Sequence, residues 1–199
     1  MQRKNCVLAF TYIKHSSYFC SMKFKSILFL IVFLITTQLS AFQLPKRMLK
    51  KVQKELVKTY DNKELKLVEI VVADAVNTQL GKSIAAATLY QIVDAKKVIG
   101  FAYIGTAPSK TDHFEYLIIL DKELIIKKSK VLVYREDYGG EIGSRRWLKQ
   151  FIGKSSKDQL KYRRDIMAIS GATISAVAMT QAINQFLADV AILQQNNIF

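Results

Sequence analysis

The sequence predicts an α+β fold: a single domain built on an antiparallel sheet of about five strands, with helices packed on it. Between residues 88 and 134, short runs rich in Val, Ile, Tyr and Phe alternate with polar turns, the pattern of strands joined by hairpins. Past Thr173, residues Met179, Ile183, Phe186, Val190 and Leu193 recur at helical spacing and so share one face of a long helix. The 158 residues from Phe42 to Phe199 suffice for one core, and no Pro/Gly/Ser linker or internal repeat divides them.

Residues 1–41 carry a different pattern. Met22 is followed by Lys23 and Lys25, by the apolar run Ile27 to Ile35, and by Thr36, Thr37, Ser40 and Ala41. This is the basic start, apolar middle and small-residue end of a secretory signal. The nine-residue run, even stretched to Leu39, is shorter than the ~20 apolar residues that span a bilayer. The expectation is a signal segment over 1–41 with its true start at Met22 and cleavage after Ala41; retention as an N-terminal anchor is the alternative. Residues 42–84 then form a helical lead-in, and 85–199 the main domain.

That division decides which chemistries remain. Cys6 and Cys20 both precede Met22, so the exported chain has no cysteine and no thiolate, disulfide, Cys-ligated zinc or haem attachment. Five of the 30 basic residues and none of the 16 acidic ones precede Phe42, leaving 25 against 16, or +9. Such a charge suits an anionic membrane surface, an acidic partner or a phosphorylated ligand, and outside the cytoplasm no nucleic-acid role is expected.

In chain order, Met48, Val52, Leu56 and Tyr60 lie four apart among lysines, which predicts an amphipathic helix over Arg47 to Tyr60, on the sheet or as a stalk. Leu65 to Val76 suits strand or helix. Thr88 to Val93 and Val98 to Thr106 flank Asp94-Ala95-Lys96-Lys97 as one hairpin, with Ile99, Phe101 and Tyr103 expected on one face and read as core. Glu115 to Leu120 and Leu124 to Lys128 form a second hairpin, and Lys130 to Tyr134 continues the sheet. The helices are expected on one side of the sheet. His113 is the one histidine after residue 41, too few for a multi-His metal site.

Beyond the sheet, Glu136-Asp137-Tyr138-Gly139-Gly140-Glu141-Ile142-Gly143 concentrates glycines that free the backbone for a tight path. It matches neither a dinucleotide nor a P-loop pattern. Ser144 can cap a short helix over Arg145 to Phe151, and a basic connection over Gly153 to Arg164 leads to Ser170-Gly171-Ala172-Thr173-Ile174-Ser175. There a turn with three hydroxyls opens into the final helix, whose free N–H groups and positive dipole end suit a phosphate. A Ser or Thr nucleophile would need a positioned base, and no such motif accompanies it. A bound phosphate, a phosphodiester on a hydroxyl, and a plain capped helix all remain open on spacing alone.

Ser170-Gly171-Ala172-Thr173-Ile174-Ser175 resembles the S-G-A-T-x-[ST] signature of an FMN-binding domain family. That family includes the periplasmic flavin subunits of Rnf and sodium-pumping NADH:quinone reductase complexes and the N-terminal domain of the NosR regulators. The Tyr-Arg-Glu and Gly-Gly-Glu form of the loop is similar to the NosR-like branch, and the match covers about Ala85 to Leu193. The resemblance implies FMN, attached at Thr173 through a phosphoester installed by a flavin transferase. It implies further contacts from Ser170, Gly171, Ala172, Ser175, Glu136, Gly139 and Gly140. The family's aspartate three residues before the serine is Met167 here, with Asp165 two residues earlier.

The implied protein is an extracytoplasmic (periplasmic) electron carrier rather than a substrate-specific enzyme, with separate donor and acceptor and possible association with a membrane surface. No catalytic residue and no metal is expected. The competing class is a cationic extracytoplasmic module that binds anionic lipid or polysaccharide without redox chemistry.

Overall fold

A computed structural model describes residues 46–82, 84 and 88–199. The signal segment and the start of the expected main domain at Ala85 lie outside the described residues. Phe42–Phe199 forms one compact unit.

Helix α1 (Lys46–Tyr60) is followed by β1 (Lys66–Glu69), the short helix α2 (Asp74–Asn77), β2 (Leu89–Asp94), β3 (Lys97–Pro108), β4 (His113–Leu120) and β5 (Ile126–Val133). After the sheet come a 3-10 turn (Gly140–Gly143), α3 (Arg145–Leu148) with a 3-10 extension (Lys149–Phe151), and the long α4 (Thr173–Gln195). The strands form one antiparallel sheet in sequence order, β1-β2-β3-β4-β5.

Local chemistry sets the hairpins. Ala95 and Lys96 both take positive φ, 41° and 74°, the handedness that matches a two-residue turn to the twist of its strands. In the β4–β5 turn the Asp121 carboxylate accepts the N–H groups of Glu123 (3.0 Å) and Ile125 (2.9 Å), a side chain closing its own turn.

The fifth strand is β1, drawn from the ambiguous stretch Leu65 to Val76, while Lys130 to Val133 continue the sheet as the second half of β5, unbroken from Ile126. The polar run Lys127-Lys128-Ser129 does not break β5, because Ser129 is buried and satisfied: its hydroxyl donates to the Leu148 carbonyl at 2.8 Å.

Helices cover both faces of the sheet, not one. On one face Met48, Val52 and Leu56 of α1 pack against Tyr90, Ile92, Ala102, Ile104, Leu117, Ile119 and Leu132. On the other, the α4 stripe of Met179, Ile183, Phe186, Leu187 and Val190 meets Leu89, Phe101, Tyr103, Tyr116, Ile118 and Leu120. The cause is the composition of the central strands, which are apolar at successive positions and so have no face to give to water. A register shift between Ile92 and Val93 also moves Ile99 to the α1 side, away from Phe101 and Tyr103.

Tyr103 stacks on Phe186 of α4 with centroids 3.9 Å apart and planes 7° from parallel. Burial, with Asp189 nearby, pushes its phenol up to about 12, so this ring is a neutral part of the core, as expected. Among the described residues, α4 alone is long and apolar enough to cross a membrane by length and composition, and its apolar stripe lies on the sheet.

Leu56→Ala should lower unfolding free energy by about 2–4 kcal/mol in urea titration, since it opens a cavity under the sheet. A loss below about 0.5 kcal/mol would make α1 a stalk. Glu55, turned inward on α1, is raised by burial but held below its ordinary range overall by Lys128 and Lys58, each 3.0 Å away. A depressed folded value adds stability above the ordinary carboxylate value, and that gain disappears as pH falls through the folded value. Between about pH 6 and pH 3 the stability of Glu55→Gln should therefore fall less than that of the parent chain.

Candidate functional site

The final helix starts in an unusual way. Gly171 takes φ 79°, Ala172 occupies the cap position at φ −128° and ψ 27°, and α4 begins at Thr173 without a side-chain cap. Alanine has no acceptor to offer, and the first backbone bond of the helix is Ala176 N–H to Ala172 O at 2.9 Å. The N–H groups of Thr173, Ile174 and Ser175 thus precede the helical ladder, at its positive end.

The three hydroxyls differ in what they can do. Ser175 is buried, and its Oγ lies 3.0 Å from the Tyr134 hydroxyl, tying the helix start to the end of β5. Ser170 and Thr173 are exposed. Thr173 is the one at the first helical position.

The glycine loop closes on this turn. Gly139 has φ 85° and is buried; a Cβ there would stand 2.7 Å from the Tyr134 hydroxyl and 3.2 Å from the Gly171 carbonyl oxygen. Only glycine tolerates both that dihedral and that proximity. Gly140 faces open space, with nothing within 4 Å of a Cβ. The carboxylate beside the turn is that of Glu141, whose Oε2 is 3.6 Å from a Cβ on Gly171. Glu136 is engaged elsewhere: it accepts the Thr111 N–H at 2.7 Å, in the β3–β4 connection.

Beside the turn lies a cleft of about 470 Å³, lined by Glu141, Ser144, Arg146, Trp147, Gln150 and residues 167–170. That volume falls within the roughly 300–1,000 Å³ of small-molecule sites. Its walls are stitched together through Met167, whose carbonyl accepts Trp147 Nε1–H at 2.8 Å and whose N–H donates to Gln150 Oε1 at 2.7 Å. Ser144 caps α3 as expected, accepting Trp147 N–H at 3.4 Å. The Met167 side chain is 68% exposed, Ile174 is 54% and Tyr138 is 86%. These are three of the six exposed large apolar side chains among the described residues, and all come from the segments that build the site.

Trp147, Gln150, Glu141 and Tyr134 were not singled out by sequence reasoning. For Glu141 the signal was its place within the glycine loop; for Gln150 none exists without the tertiary fold. Asp165 is committed to its own turn, accepting Lys161 N–H at 2.8 Å and pairing with Arg164 at 2.9 Å. Those partners, Arg164 first, hold it below the ordinary carboxylate range.

Residues 111–188 match the family model of the FMN-binding domain. The match runs from the β3–β4 connection through the glycine loop and cleft into α4. No curated protein matches the chain. The chain therefore contains an FMN-binding domain, and FMN is its cofactor. The residues present fit that group: an uncapped helix start for the phosphate and a cleft with exposed apolar side chains for a flat ring system.

Gly139→Ala should weaken FMN binding at least about tenfold and lower stability by about 1–3 kcal/mol, because strain and contact act together. Gly140→Ala should leave both within about twofold and 0.5 kcal/mol. Flavin fluorescence titration with thermal melts separates the two, and equal behaviour would remove the loop from the site.

Proposed function

We propose that this flavoprotein is exported, carries FMN as a phosphoester on Thr173, and serves as an extracytoplasmic electron carrier. The observation that supports it most is the exposed Thr173 hydroxyl at the first position of an uncapped helix, three residues after Ser170, the last residue to line the cleft. When bound, FMN supplies one- and two-electron transfer. The chain's part is to hold and orient it. The N–H groups of Thr173 to Ser175 meet the phosphate charge, Gly171 and Gly139 let the backbone come close, and Met167, Ile174 and Tyr138 offer apolar surface to the ring.

Attachment forms a bond from Thr173 Oγ1 to the phosphorus of an activated flavin nucleotide, with loss of the hydroxyl proton and departure of the nucleotide's leaving group. A flavin transferase would catalyse it. Ser175 is a poor acceptor because it is buried against Tyr134, and Ser170 lies outside the helix start. Ser170, Gly171, Ala172 and Gly140 are backbone contacts in this reading. No side chain at the site is arranged as an acid–base pair for substrate chemistry, which favours a relay with a separate donor and acceptor. The apolar run Ile27 to Ile35 supports export.

Protein matured in cells with a flavin transferase should keep one flavin after denaturation, seen as a single mass adduct. Thr173→Ala should lose the adduct and Thr173→Ser should retain it, with Ser170→Ala unaffected. Flavin that leaves the parent chain on denaturation would overturn attachment and leave binding intact.

A further inference from the structure

A second cleft, of about 540 Å³, lies between α1, β5 and α3, away from the flavin site. Six basic side chains line it, Lys58, Lys127, Lys128, Lys130, Arg145 and Lys149, against one acid, Glu55. Glu55 is already held by Lys58 and Lys128 at 3.0 Å each, and Lys127 sits 4.2 Å from the centroid of the Tyr60 ring. Lys130, Arg145 and Lys149 form no ion pair among the described residues. Concentrated like charge of this kind costs stability unless an anion meets it.

The charge does not stop at the cleft. Helix α1 forms one wall and has six Lys or Arg among its 15 residues; its single acid, Glu55, is the buried one. Its solvent face is thus cationic throughout. At the rim of the cleft, Ile152 is 47% exposed, an apolar side chain among the lysines. In the sequence, residues 36–45 alone separate α1 from the apolar run Ile27 to Ile35, and on the export reading above that run brings the chain to a membrane whether it is removed or kept.

We propose that this face, α1 together with the Lys130–Arg145–Lys149 cleft, docks on an anionic membrane surface through the phosphate groups of its lipids. A broad cationic face with an exposed apolar side chain at the rim of its cleft fits a charged lipid surface by complementarity. Helix α3 separates the two functions: Arg145, Leu148 and Lys149 face this cleft, and Arg146, Trp147 and Gln150 face the other. Docking therefore leaves the flavin cleft open to a partner.

The test is lysine footprinting of the full flavin-loaded chain, with an amine-modifying reagent and mass spectrometry. It compares phosphatidylglycerol-containing vesicles, phosphatidylcholine vesicles and soluble glycerophosphate. Lys130 and Lys149 should be protected about fivefold by the anionic vesicles alone, and the protection should vanish near 1 M salt, where the Debye length is about 3 Å. Lys66, on the opposite edge strand β1, should not change. The triple variant Lys130→Glu, Arg145→Glu, Lys149→Glu should lose protection at Lys58 and Lys127 while keeping its flavin absorbance. The equally charged control Lys63→Glu, Lys66→Glu, Lys96→Glu should keep the protection. Equal protection by phosphatidylcholine, equal loss in both triples, or equal protection by glycerophosphate would each overturn the proposal.

Discussion

The site depends on one close approach, that of Gly139 to the carbonyl of Gly171. A side chain at Gly139 would stand 2.7 Å from the Tyr134 hydroxyl, and the residue sits at φ 85°. Because that contact is possible, the loop after β5 can lie on the turn before α4. Because it lies there, Glu141 stands beside the turn whose Ala172 leaves the helix start without a side-chain cap.

Rigidity comes from what stands behind this contact. Tyr134 extends from the end of β5 to Ser175 in the first turn of α4, so sheet and helix are joined at the binding end. Further along, Phe186 of α4 stacks on Tyr103 of β3, and at its far end the buried Asp189 accepts Gly81 N–H at 2.8 Å. The sheet in turn is clamped from the other side by α1. A helix fixed at both ends and over its length holds its dipole on one point, as a preorganised anion site requires.

The parts of the fold that were legible in the sequence are those set by local periodicity. The α4 stripe, the two hairpins and α1 follow from side chains three, four or two apart. What was not legible came from partners distant in sequence. Ser129 looked like a break in β5 until the Leu148 carbonyl satisfied it. Ile99 changed face because of a register shift opposite Ile92 and Val93, and the second helical layer appeared because β3 and β4 are apolar on both sides. At the site, the hydroxyl turn was visible at once. Which glutamate stands beside it was not: Glu136 and Glu141 share a loop, and only the path through Gly139 turns the second toward Gly171.

If the uncapped start of α4 holds the phosphate of FMN through Thr173, phosphorus NMR of the loaded protein after denaturation should show it. A phosphodiester on Thr173 has no second ionisation, so its resonance should stay with the polypeptide and not move between about pH 5 and pH 8. A resonance that titrates near pH 6, the second ionisation of a free phosphomonoester at about that value, or that departs with the flavin, would contradict it.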